Sequence, residues 1–71
     1  MRYISENYYV LFDTQDEDQQ DVGRVIEVVG DECRVYWHRN DVTCKEVTDK
    51  LIAIPSVQAE LLMSVYDEEA A

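Results

Sequence analysis

The dipeptide Gly30-Asp31 stands between two runs rich in β-branched and aromatic residues, Val22 to Val29 and Glu32 to His38. Glycine reaches the positive φ of the tight primed turns without a steric penalty, so the pair predicts a β-hairpin with a two-residue loop. Such a loop fixes a register. It pairs Val29 with Glu32, Val28 with Cys33, Glu27 with Arg34, Ile26 with Val35, Val25 with Tyr36 and Arg24 with Trp37. One face then carries Ile26, Val28, Cys33, Val35 and Trp37, and the other sets Glu27 against Arg34, a favourable cross-strand pair. A slip of one residue would move both sets to the wrong side.

The hairpin continues into neighbours. A second turn at His38-Arg39-Asn40-Asp41 leads into Val42 to Val47, and pairing Trp37 with Val42 places Val35 opposite Cys44 on the same apolar face. Cys33 and Cys44 are then diagonal, ~7–8 Å apart. A disulfide needs Cβ atoms within ~3.5–4.5 Å, so both thiols are expected to be free. Upstream, Tyr8-Tyr9-Val10-Leu11-Phe12 reads as a strand. Downstream, Leu51 to Ile54 reads as a short closing strand ended by Pro55. Ser56 is placed to cap a helix with Val57, Leu61, Leu62, Val65 and Tyr66 on one stripe and Gln58, Ser64 and Asp67 facing away. An edge strand over Leu61 to Tyr66 is the alternative.

Four or five short strands joined by tight turns predict a mainly β fold, a small closed barrel over about 8–55. A short C-terminal helix over about 56–66 and an acidic tail, 67–71, complete a single domain over 1–71. No internal repeat or Pro/Gly linker marks a second domain. Tyr36 shares the outer face with Val25 and Val29; the helix is expected to cover that patch, with a partner as the other possible occupant.

Charge is the strongest compositional deviation, −10 in 71 residues. Asp13 to Asp21 holds five acids (Asp13, Asp16, Glu17, Asp18, Asp21) and no base, and Asp67-Glu68-Glu69 adds three more. Val22 to Ile54 has six acids against five bases, so the excess sits in one loop and one tail. Phosphate binding needs a basic footprint, so DNA, RNA and anionic membranes are disfavoured as partners. A protein with a basic surface suits this charge; a solvated, inert loop is the plain alternative. No apolar run approaches the ~20 residues that span a bilayer. Met1 to Glu6 has no apolar core of a signal peptide, which points to an intracellular protein with reduced cysteines.

The run Gly23 to Trp37, an alternating strand, a Gly-Asp turn and a strand ending in an aromatic, resembles the central hairpin of Tudor and related SH3-like β-barrels. Val47-Thr48-Asp49-Lys50-Leu51 resembles the step before their last strand, and Ile54-Pro55 the exit from it. The resemblance covers roughly residues 8 to 55 and implies an SH3-like barrel. In the methyl-reading members an aromatic cage holds a methylated lysine or arginine by cation–π attraction. Phe12 and Trp37 match two cage positions. The loop after Trp37 lacks the family's further tyrosine and brings Arg39 instead, so core packing is the expected role of Phe12 and Trp37.

Other chemistry finds little purchase. Cys33 and His38 have opposite parity on one strand, which removes the simplest Cys-His nucleophile pair. The sequence has one histidine and no C-x-x-C, one ligand short of a zinc site. The acidic loop lacks a calcium loop's interior glycine and final glutamate, and no glycine-rich phosphate cradle exists. The expectation is a non-catalytic protein-interaction module without cofactor, or a small subunit of a larger assembly. Its contact residues are drawn from Asp13, Asp16, Glu17, Asp18, Asp21, Tyr36, Phe12 and Trp37. Two alternatives stay open: an acidic accessory protein of viral type that mimics nucleic acid, and a structural subunit of a virion or complex. Mimicry wants carboxylates spaced along a rigid face, and here they concentrate in a loop and a tail.

Overall fold

Alternation and turn chemistry put each of the apolar runs into a strand in the computed structural model, which describes residues 4–13 and 20–70. The strands are β1 (Tyr9–Phe12), β2 (Gly23–Val29), β3 (Glu32–Trp37), β4 (Val42–Val47) and β5 (Leu51–Ile54). A 3-10 turn at Thr48–Lys50 links β4 to β5, and one helix, α1 (Ser56–Ala70), follows. The protein is mainly β: one five-stranded antiparallel sheet in the order β4-β3-β2-β1-β5, with β4 and β5 as its two edges.

The first hairpin forms as its turn residues require. Gly30 takes φ +62°, and Val29 faces Glu32, Val28 faces Cys33 and Glu27 faces Arg34. Beyond Glu27 the expected register fails. A β-bulge between Val25 and Glu27 leaves Ile26 without a partner, so Val25 faces Val35, Arg24 faces Tyr36 and Gly23 faces Trp37. Ile26 is therefore 47% exposed, and Val25, expected on the outer face, is fully buried. The bulge has a packing reason. It brings Gly23 beneath Trp37, where a Cβ would lie 2.3 Å from Cγ1 of Val35 and 2.8 Å from the nearest indole carbon. Only glycine lets the strand cross there.

The second hairpin keeps its expected register, with Trp37 opposite Val42 and Val35 opposite Cys44. Asp41 adopts φ +52° and its N–H closes the turn onto the Trp37 carbonyl at 2.9 Å. Cys33 is buried, Cys44 is exposed, and both are free thiols. Thr48 is buried and donates both its N–H (2.9 Å) and its hydroxyl (3.1 Å) to the Asp31 carbonyl, tying the 3-10 turn to the first hairpin.

The chain buries apolar residues on both sides of β1. One side joins Ile4, Val10, Val25, Cys33, Val35, Trp37 and Leu51, with Phe12 and Val28 against them. The other side joins Leu11 and Val22 to Ala59 and Tyr66 of α1, with Tyr9, Ile54, Leu62 and Met63 around them. The C-terminal segment is a helix, but it presents a different face from the expected stripe. Of the five stripe residues only Leu62 and Tyr66 pack inward; Val57, Leu61 and Val65 are 67%, 65% and 47% exposed. Ser56 is not the cap, because the first helical hydrogen bond runs from Ala59 N–H to the Pro55 carbonyl at 3.0 Å and makes Ser56 the first helical residue. The helix also outruns its expected end, so Asp67, Glu68 and Glu69 form its last turn rather than a tail. Because α1 packs at β1, it does not cover the outer patch: Val29 is 66% and Tyr36 37% exposed.

Candidate functional site

Phe12 and Trp37, the two positions matching an aromatic cage, stack on each other. Their ring centroids are 4.7 Å apart and their planes 17° from parallel, with Trp37 only 4% exposed and Phe12 half-buried. A ring face occupied by another ring cannot face a cation, so the stacked faces of Phe12 and Trp37 are closed to one. Glu46, half-buried on the neighbouring edge strand, accepts a hydrogen bond from the Trp37 side chain. Burial raises the pKa of its carboxyl, an effect offset in part by Lys50 and by that hydrogen bond. The same carboxyl adds to burial in raising the Cys33 thiol.

Tyr36 lies at the surface and its hydroxyl donates to the Asp41 carboxylate, which raises the tyrosine's pKa. Beside it Arg24 donates to the Asn7 side chain at 3.0 Å. Arg24 thus sits opposite Tyr36 and not, as expected, opposite Trp37.

The acidic segment divides. Asp13 is exposed at the end of β1, where its N–H donates to the Lys50 carbonyl at 3.0 Å. Asp16, Glu17 and Asp18 lie outside the described residues. Asp21, expected in a solvated loop, is instead 3% exposed. Its carboxylate accepts the Arg39 N–H at 2.7 Å, the Asn40 N–H at 3.2 Å and the Asn40 side-chain amide at 3.0 Å. Those bonds satisfy the backbone of the β3–β4 turn, and they account for an acid at this position without any partner.

That turn is also where α1 docks. His38 Nε2 lies 2.9 Å from Asp67. The Arg39 guanidinium donates to the Gln20 carbonyl at 3.0 Å, lies 4.7 Å from the centre of the Tyr66 ring and 3.9 Å from Glu69. Together His38, Arg39, Tyr66, Asp67 and Glu69 line a cleft of about 310 Å³. The Tyr66 hydroxyl is buried, has no hydrogen-bond partner among the described residues, and is pushed up in pKa first by burial and next by Asp21. Sequence reasoning missed this cluster. Its only signal was two basic-type side chains in one turn against three acids at the chain's end.

Among the described residues no group of three or more His, Cys, Asp or Glu side chains is placed to hold a metal ion. No helix among them is long and apolar enough to cross a membrane. Comparison with known protein families, with curated proteins and with solved structures finds no match to this chain.

Proposed function

We propose that this chain is a non-catalytic protein-interaction module whose partner presents a basic surface. The observation that carries the reading is the amount of large apolar side chain left open on so small and so acidic a domain. Val29, Val57 and Leu61 are each exposed by about two thirds (66%, 67% and 65%), and Ile26 and Val65 by nearly half (47% each). Scattered exposed apolar residues are ordinary, but several on one short helix mark a contact surface. A net charge of −10 makes the attraction of a basic partner the natural long-range term.

A meander whose last strand returns beside the first through a 3-10 turn fits the resemblance to SH3-like, Tudor-like barrels, although β4 and β5 do not pair to close the sheet. Nucleic-acid mimicry is the reading it competes with. Asp67, Glu68 and Glu69 do stand on a rigid helix. Two of them, however, already face His38 and Arg39, which leaves few spaced carboxylates to stand in for a phosphate row.

Affinity capture with the full chain as bait, followed by kinetics against the captured protein at two salt concentrations, tests the proposal. Converting Asp16, Glu17 and Asp18 to Asn, Gln and Asn is expected to leave the fold intact and to slow association at low salt. The difference should shrink as the Debye length falls below ~8 Å. Equal association rates for both proteins at low salt would remove the basic-partner reading. Capture of nucleic-acid-binding enzymes through their nucleic-acid sites would replace it with mimicry.

A further inference from the structure

Helix α1 has two apolar faces, and the fold uses one. Ala59, Leu62, Met63 and Tyr66 face the sheet. Val57, Leu61 and Val65 repeat at i, i+4 and i+8, so they form a straight ridge that is 67%, 65% and 47% exposed. At about 100° per residue this ridge points roughly 150° away from the buried face. It runs about 12 Å along the helix, from Val57 to Val65. Nothing in the packing of the sheet asks for valine or leucine there, and helix propensity alone would favour Glu, Lys or Gln at such positions over valine.

Charge decides what fits the ridge. Exposed Glu60 stands to one side of it and Glu68 at its C-terminal end, and α1 contains no lysine, arginine or histidine. A second copy packed ridge to ridge would put two helices that carry Glu60 and Glu68 and no cation against each other, between two chains of charge −10. A segment with an apolar stripe flanked by lysine or arginine meets the same surface with opposite charges.

Resting on the reading of this chain as an interaction module, we infer that the Val57-Leu61-Val65 ridge is its docking site and that the occupant is a basic amphipathic helix. Apolar side chains of the partner pack between Val57, Leu61 and Val65, and its flanking cations meet Glu60 and Glu68. The apolar contacts supply affinity, and the charges set partner choice and association rate.

A display selection tests this directly. The library consists of peptides with leucine fixed at helical i, i+4 spacing and randomised flanks, and the bait is the full chain. The counter-bait is Val57→Ser/Leu61→Ser/Val65→Ser, whose fold is checked by circular dichroism because all three side chains are exposed. The expected outcome is enrichment of Lys/Arg-flanked peptides on the native chain, with binding at least about tenfold weaker to the triple variant. Glu60→Gln/Glu68→Gln should slow association without altering the selected apolar spacing. Peptides that bind both baits equally would overturn the ridge as the site while leaving the interaction module standing. No enrichment on either bait would overturn the basic helical occupant and leave the interaction module to its own capture test. A dimer of the native chain in sedimentation that is lost in the triple variant would give the ridge to a second copy and overturn the basic partner.

Discussion

Gly23→Ala should be among the most damaging single-atom additions this protein can suffer, and the reason is purely steric. Judged by the backbone alone it should help: Gly23 lies in a strand without positive φ, and replacing such a glycine stabilises by about 0.4–1 kcal/mol through the unfolded chain. The geometry reverses the sign. The new methyl would sit 2.3 Å from Cγ1 of Val35 and 2.8 and 2.9 Å from two carbons of the Trp37 ring. Carbon atoms pack best at about 3.5–4.0 Å, so every one of these contacts is short, the first by more than an ångström. Neither neighbour can yield. Val35 is fully buried, and Trp37 is only 4% exposed and stacked on Phe12. Overpacking of this kind costs about 1–3 kcal/mol, occasionally more, against ~3–5 kcal/mol of total stability for so small a domain. Urea unfolding followed by the fluorescence of Trp37, the protein's one tryptophan, measures it. The variant should lose about 1–3 kcal/mol. Val35→Ala removes the closest atom, so the double variant should be more stable than the sum of the two single changes predicts. A Gly23→Ala protein within about 0.5 kcal/mol of wild type, or strict additivity with Val35→Ala, would refute the reasoning.

Three further outcomes follow from the same packing. Glu46→Gln should raise the melting temperature at pH 7, because burial raises the carboxyl's pKa in the folded state. A raised acid favours folding below its ordinary pKa and loses that contribution as pH climbs through the raised value, so the advantage of Gln should vanish as acidity returns Glu46 to its neutral form; an unchanged gap across that range would contradict it. Asp21→Ala leaves the Arg39 and Asn40 amides without their acceptor and should cost about 1–3 kcal/mol, with faster hydrogen exchange at both amides; unaltered protection there would count against the buried carboxylate as the turn's anchor. In the native protein a thiol reagent should modify exposed Cys44 promptly and buried Cys33, its pKa raised by burial and by Glu46, only on unfolding; equal rates for both would place Cys33 wrongly.

The strands, both hairpin turns and the free cysteines were legible because each depends on local chemistry: Gly30 for a positive φ, alternation for a face, parity for a distance. The bulge at Ile26 was not. Nothing in Arg24-Val25-Ile26-Glu27 marks which β-branched residue is extruded; that is settled by Gly23 having to lie under Trp37, a contact across two strands. The helix shows the same limit. Its apolar residues occupy both faces, so periodicity alone cannot say whether Leu61 or Met63 points inward, and the small side chain of Ala59 decides by letting α1 approach the sheet. Among the candidate contact residues, parity and size placed Trp37 correctly in the core. Asp21 could not be separated from its acidic neighbours, because its role depends on amides 18 and 19 residues away.

The β3–β4 turn is committed to holding the C-terminal helix. Three acids in the last turn of a helix oppose its macrodipole, each by roughly 0.3–1 kcal/mol, so Asp67, Glu68 and Glu69 need an offset for the helix to run to Ala70. Arg39 supplies charge at 3.9 Å from Glu69, and His38 Nε2 lies within hydrogen-bond distance of Asp67 at 2.9 Å. Exposed polar contacts of this kind are worth little singly. Here they act with an apolar anchor, because the same Arg39 lies over Tyr66, which is itself packed against Leu11 and Val22. The turn is thereby tied to the helix through both of its basic-type side chains. A cation does lie over an aromatic ring in this protein, and it is the chain's own arginine. With that ring occupied, Phe12 and Trp37 stacked together and Asp21 turned inward, the apolar side chains that stay exposed on α1 are those of its outer ridge, Val57, Leu61 and Val65.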